Sequence, residues 1–467
     1  MSQAAVTGPV DAGNTGDEGG FEMNHGIEEY ERRTPKCKAA WESASKVIPG
    51  GVGSAIQFKA PYPLYLGDSK GSRVWDLDGN EYIDYSLCYA AMVAGHANPH
   101  IVEAIRAQAV HGTLYGLPTT LAGDLAEEII RRYEGVIDMV RFTQSGVEAT
   151  QTAIRLARAA TGRKTIVKIE GQYHGGTDHL LVSIGGAPAD AAGPDDRPNA
   201  TADSAGLLPA STEYTAVVAF NDLDMMRRAF DEHDGDVAGV IVEPAMTNGG
   251  VIPPLPGYLE GVRALCTEKG AVMIMDEVKI GCRIAAGGAT ELWGVKGDIV
   301  TLAKAIGGGV PVGAFGGKRE LMEQISPLGP AVHFGTYNAN PLGMAAGLAC
   351  LTKVMTDETY VEMTRLATRM ADGMRHVIKE TGVPAHVVQL ETLGGLFFGI
   401  EEQPNNFREA AKNDAARWDD YWFGMLNRGV IPMGSAWFEE WSMSAQHTDD
   451  DVDLTLEAFE DTLSAIV

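Results

Sequence analysis

From about Met139 to Gly316, short apolar runs alternate with stretches of helical periodicity. The runs cover residues 139–142, 165–169, 215–219, 237–242, 271–275, 299–302 and 310–315, and each is bounded by Gly, Asp or Pro. They lack clean polar alternation, which suits strands buried on both faces. Helices between such strands imply right-handed crossovers, a mainly parallel sheet and so an α/β fold. In such sheets ligands gather beyond the carboxyl ends of the strands, and Asp276 stands at one such end.

The flanks read differently. Residues 74–83 form a predicted hairpin with an Asp78-Gly79 turn. Residues 357–380 carry an amphipathic helical pattern that Gly382 and Pro384 would stop. A strand at 394–400, a helix at 410–427 and extended segments at 431–444 follow. Thr448 and Asp451 make a capping box for a final helix, with Asp in place of Glu. This divides the chain into a large domain at 86–345 and a small α+β domain at 346–467, joined by the N-terminal segment 30–85. Residues 184–212 are dense in Gly, Ala, Pro, Asp and Ser, so they are expected to be either disordered or a functional lid. Residues 1–25 have no basic n-region or apolar h-region and read as a disordered tail, not a signal peptide.

Composition narrows the function classes. The 467 residues carry 37 basic and 63 acidic side chains, a formal charge of −26. So acidic a surface repels phosphate backbones and anionic lipid, which argues against nucleic-acid and membrane roles. The cysteines, Cys37, Cys88, Cys266, Cys282 and Cys350, are scattered and odd in number, with no CxxC pair. That favours reduced thiols in a cytoplasmic protein over a disulfide frame or zinc site. No apolar run reaches the roughly 20 residues of a membrane span.

Candidate chemistry lies at the strand ends. Lys304 follows the run at 299–302, and Asp276 closes that at 271–275. An amine and a carboxylate on different strands suit pyridoxal phosphate: the amine forms a Schiff base with its aldehyde, and the carboxylate pairs with its pyridine nitrogen. A strand-end Asp could equally be a cap or, as a weaker case, a metal ligand. Ser145-Gly146-Val147-Glu148 opens a helix whose free N–H groups could bind phosphate, although a plain capped helix accounts for the string alone. Tyr173-His174-Gly175 follows the next strand. Its aromatic could stack on a flat ring, or the two residues could form a buried pair in a turn. Lys279 rivals Lys304, but it shares a loop with Asp276, and the two roles need opposite ends of one ring. Lys279 is therefore read as a surface or pocket-rim lysine.

With these motifs in order, the chain resembles the class III (fold-type I) pyridoxal-phosphate aminotransferases over roughly residues 30–467, in particular the glutamate-1-semialdehyde aminomutase-like branch. Pro49-Gly50-Gly51, the 82–85 segment, Gly95-His96, Asn98-Pro99, Ser145 to Ala149, Tyr173-His174-Gly175, Asp276-Glu277-Val278, Lys304, Gly335-Thr336 and Asn340-Pro341 carry the likeness. It implies a Schiff base and proton shuttle on Lys304, a pyridinium partner in Asp276, and ring faces covered by Val278 and Tyr173. It further implies phosphate contacts from the backbone N–H of Gly146 and Val147, and a phosphate contact from Thr336 across a homodimer with shared sites. Glu439 matches a family glutamate near the substrate amino group.

Departures bear on the substrate. Val147 replaces the family's usual threonine. Gln57 stands where the aminomutase has the arginine that binds a substrate carboxylate, and a neutral amide cannot make that bidentate contact. Tyr89 stands where the aminomutase has tryptophan. The expected function is an aminotransferase moving an amino group between an amino donor and a keto or aldehyde acceptor. The alternatives are an aminomutase or racemase on the same scaffold, in which the amine never leaves, and a non-catalytic homologue.

Overall fold

The computed structural model describes residues 24–466 apart from Ala187, Ala189, Ser435 and Trp437. The tail expected at 1–25 lies outside the described residues, except that Asn24 and His25 already belong to a helix, Asn24–Arg33.

A seven-stranded sheet dominates. Its order is Met139–Thr143, Gly313–Gly317, Ile299–Leu302, Val272–Asp276, Val237–Val242, Thr165–Ile169 and Thr215–Val218. The strands from Ile299–Leu302 onward pair in parallel. Gly313–Gly317 runs antiparallel to both its neighbours. All seven apolar runs therefore became strands, although the last begins at Gly313, beyond Pro311, which has no N–H to give a ladder. The strand faces feed two separate clusters. In Val272–Asp276, Met273 and Met275 join the larger core, whereas Val272 and Ile274 join the core under the helix Gly146–Thr161. Both faces are buried, which explains why these runs lack polar alternation. Each fully buried Ile, Leu or Met side chain contributes about 1.5–3 kcal/mol.

The helix Gly146–Thr161 shows how local signals place the site. Ser145 caps its start by accepting from Glu148 N–H, and Gly162, left-handed at φ 70°, ends it. Ala149, Ala153, Leu156 and Ala157 recur at helical spacing and are buried against the sheet. The small alanines let the helix sit close to the strands.

The predicted hairpin is present as Arg73–Asp76 and Glu81–Asp84, with Leu66–Lys70 added at its edge. Val430–Ile431, from far along the chain, pairs in parallel with Glu81–Asp84. The long helix spans Asp357–Thr381 and stops at left-handed Gly382. Ala385–Leu390, Leu393–Phe398 and Trp441–Ser442 form a third sheet. The helix expected at 410–427 starts later, as Ala415–Asn427, because Asp414 caps Arg417 N–H. The Thr448–Asp451 capping box is formed in full. Among the described residues, no helix is long and apolar enough to cross a membrane.

The described residues of 184–212, expected to be disordered or a lid, are tied to the body by side chains. Buried Lys168 donates to the carbonyls of Gln172, Val182 and Ser183. Asp203 accepts from Ile184 and Gly186 N–H. Arg408 grips Glu170 through two 2.8 Å bonds and also donates to the Ala192 and Gly193 carbonyls. Side-chain bonds of this kind satisfy backbone groups where regular pairing is sparse.

Candidate active site

The carboxyl ends of neighbouring strands bring the predicted residues together. Asp276 ends Val272–Asp276, Lys304 lies two residues past Ile299–Leu302, and Gly146 opens the helix after Met139–Thr143. Tyr173 and His174 follow Thr165–Ile169. With Val147 and Val278 they line one cavity of about 160 Å³. Glu243, Asn248 and Lys279 complete its wall. An open surface hollow of about 520 Å³ around Asn221 and Asp222 holds neither Lys304 nor Asp276.

Asp276 is buried and firmly held. Oδ2 lies 2.6 Å from His174 Nδ1, and Oδ1 accepts from Thr301 Oγ1 at 2.9 Å and from Val278 N–H at 3.1 Å. A ring nitrogen facing a carboxylate is assigned the proton, so His174 Nδ1–H donates. A carboxylate has about four acceptor positions, and three are used here. One stays open for a further N–H.

The helix start fits an anion. The Ser145 cap takes Glu148 N–H. Helix geometry leaves the N–H groups of Gly146 and Val147 without intrahelical acceptors. Gly146 is required by packing: a Cβ there would lie 2.6 Å from Val278 Cγ1. This close approach places Val278 directly beside the helix start. Tyr173 is 42% exposed and hangs at the cavity mouth, its N–H bound to Glu243 Oε1 at 3.0 Å.

Lys304 has a left-handed backbone, φ 48°. Burial and then the charge of Lys279 push its amine down to about 8, against the partial opposition of Glu440, Glu439 and Glu243. A near-neutral amine is what nucleophilic attack on a carbonyl needs. The donor set as a whole therefore fits pyridoxal phosphate: an amine, a carboxylate with an open acceptor position, free N–H groups and two ring-facing side chains.

Lys279 corrects the sequence reading. It is buried, not at the surface or rim, and it donates to Thr247 O (2.9 Å), Asn248 Oδ1 (3.1 Å) and Glu439 Oε2 (3.0 Å). Glu440 Oε2 lies 2.6 Å away. Burial alone would lower its amine, but Glu439, Glu440 and Glu243 outweigh that and raise it, so Lys279 remains a cation. Asn248 also donates to Glu243 Oε1 at 2.9 Å, linking that carboxylate to Lys279. Sequence reading missed Asn248 and Glu440. The signal was the adjacent Glu439-Glu440 pair flanked by Phe438 and Trp441, because two carboxylates amid aromatics need a buried cation.

The remaining predicted residues fall at varying distances from the cavity. Tyr89 is half-buried, donates to Ile56 O at 2.9 Å, and feels the charges of Glu439 and Lys279. It sits on a left-handed turn: Leu87, Cys88, Tyr89 and Ala90 have φ of 46°, 53°, 58° and 66°. Side chains other than glycine avoid this region. Gln57 does not line the cavity: it is exposed, and its Oε1 accepts from Ser54 N–H at 3.1 Å. Thr336 is also outside the cavity, exposed between Phe334 and Tyr337, which are 85% and 59% exposed.

Known proteins resemble this chain along most of its length. It matches the family described as aminotransferase class-III over residues 57–463. It is 42% identical to the glutamate-1-semialdehyde 2,1-aminomutase 2 of Bacillus licheniformis, covering 92% of this chain and 97% of that one. Among solved structures, an omega-transaminase from Sphaerobacter thermophilus superposes with a TM-score of 0.87 at 32% identity, covering 93% of this chain and 99% of that one. A glutamate-1-semialdehyde aminomutase from Pseudomonas aeruginosa in complex with PMP gives 0.85 at 27%, covering 95% and 98%.

Proposed function

Because this chain belongs to the class-III aminotransferase family, we propose that it moves an amino group from an amine donor to a keto or aldehyde acceptor at the Lys304 cavity. Its cofactor is pyridoxal phosphate. When bound, that group supplies an aldehyde that condenses with amines and a ring that withdraws electrons from the carbon beside the nitrogen. Lys304 provides the amine that holds it and then moves a proton at the substrate carbon. Asp276, fixed by His174 and Thr301, takes the ring N–H through its open acceptor position. Gly146 and Val147 bind the phosphate through N–H groups. Val278 and Tyr173 cover the ring faces and exclude water. Thr336 reaches the phosphate of a second copy in a homodimer, consistent with the exposed aromatics beside it.

The observation that carries transfer is the missing carboxylate clamp. Gln57 is engaged with Ser54, and among the described residues no arginine lines the cavity. The second reading is an aminomutase of the glutamate-1-semialdehyde type, and the curated relatives, which bear that name, favour it. The visible spectrum of the holoenzyme with amino donors added one at a time decides. Bleaching to the pyridoxamine form with release of a keto product supports transfer. A protein that bleaches with no donor yet converts an amino aldehyde is a mutase.

A further inference from the structure

Two lysines reach the cavity, Lys304 and Lys279. An ammonium has three protons. Lys279 donates to three acceptors, Thr247 O, Asn248 Oδ1 and Glu439 Oε2, and forms an ion pair with Glu440 Oε2 at 2.6 Å. It has no proton left to offer a ligand. Its charge is also overdrawn, since Glu439 and Glu440 flank it directly and Asn248 ties it to Glu243. Glu440 is fully buried, and among the described residues neither of its oxygens has a hydrogen-bond partner, the Lys279 contact of Oε2 being an ion pair. Packing does not explain such a residue, because a buried carboxylate with an orphan oxygen costs stability. Its electrostatic effect does: burial pushes the Glu440 carboxyl up and Lys279 pulls it down, and with Glu440 ionised two carboxylates face the one Lys279 ammonium, while buried Arg283 feels Glu440 from outside the cavity lining.

We propose that Glu440 is a specificity determinant: by setting a second carboxylate against Lys279 it makes this wall reject a substrate carboxylate, so the substrates are amines whose group facing Lys279 is uncharged or cationic. This rests on the cavity being the amine site. The closing charge, not a steric block, does the selecting, because the ammonium itself remains in the wall. Removing the Glu440 charge returns one unit of positive charge to the wall. A unit charge in a partly buried site changes binding by about tenfold or more.

The test uses holoenzyme and three amines of matched length: n-butylamine, 4-aminobutanoate and 1,4-diaminobutane. Each dissociation constant is read from the visible spectrum of the bound cofactor, so no turnover is needed. The wild-type protein is expected to bind butylamine and the diamine about tenfold or more tighter than 4-aminobutanoate. Glu440→Gln is expected to shrink that ratio about tenfold, and Glu440→Asp to restore most of it. A merely structural role would weaken all three ligands together and leave the ratio unmoved. Wild-type binding of 4-aminobutanoate as tight as that of butylamine overturns the proposal without any variant. So does a Glu440→Gln protein with an intact cofactor spectrum and an unchanged ratio. No spectral response to any of the three in a cofactor-loaded wild type would instead remove the amine reading on which the proposal depends.

Discussion

Lys304 and Asp276 were legible because each stands at or just past the end of an apolar run, where a parallel sheet puts its ligands. Their chemistry gives two predictions. Burial and the neighbouring Lys279 hold the Lys304 amine down to about 8. The nucleophile is the neutral amine, so its fraction rises as pH climbs through that value. Capture of pyridoxal phosphate by apoprotein should therefore speed up between about pH 7 and about pH 9 and then level off. Stopped-flow absorbance would show it, and a flat profile would contradict the burial argument. Asp276→Asn should leave the cofactor bound but cut turnover by about a thousandfold, since the ring loses the anion that stabilises its N–H. Wild-type turnover in that variant would remove the pairing role. The nature of Lys279 was hidden for a physical reason. Three residues after Asp276 it looks like a loop lysine, and its Glu439 and Glu440 partners arrive from a distant segment. Only folding joins them.

At the scale of elements, periodicity recovered the strands and the long helix, while loops proved harder to read. Residues 184–212 lack periodicity, and Asp203 and Arg408 bond their backbone groups through side chains. Composition alone could not distinguish that from a mobile lid. Arg408 is the main fastener: its side chain is 21% exposed and that of Glu170 only 8%. Arg408→Ala leaves Glu170 without its cation and the Ala192 and Gly193 carbonyls without a donor, at a local cost of about 2 kcal/mol. Amide exchange across 190–206 should quicken about tenfold or more, with the main sheet unaffected. Unchanged exchange there would mean the loop is held otherwise. The left-handed turn at 87–90 was equally invisible, because no glycine marks it. Such a turn persists only where surrounding structure over-determines it, and here the Tyr89 hydroxyl is bound to Ile56 O.

For the whole molecule, an exposed Thr336 between exposed aromatics predicts that the site is completed by a second copy. Lys304→Ala and Thr336→Val proteins, each weak alone, should regain about a quarter of wild-type activity when unfolded together and refolded, because the mixed dimer holds one intact site, and mixed dimers are about half the population. Sedimentation should show dimers throughout. A mixture no more active than its parents would place Thr336 outside the site. The pairing of Ile83 with Val430 has a consequence for biosynthesis. A ribosome releases the Glu81–Asp84 strand long before its partner exists. Through most of translation that edge is an unpaired template open to other chains. Nascent protein should therefore depend on chaperone shielding until Val430–Ile431 is synthesised, and production should favour slow, cool expression over fast.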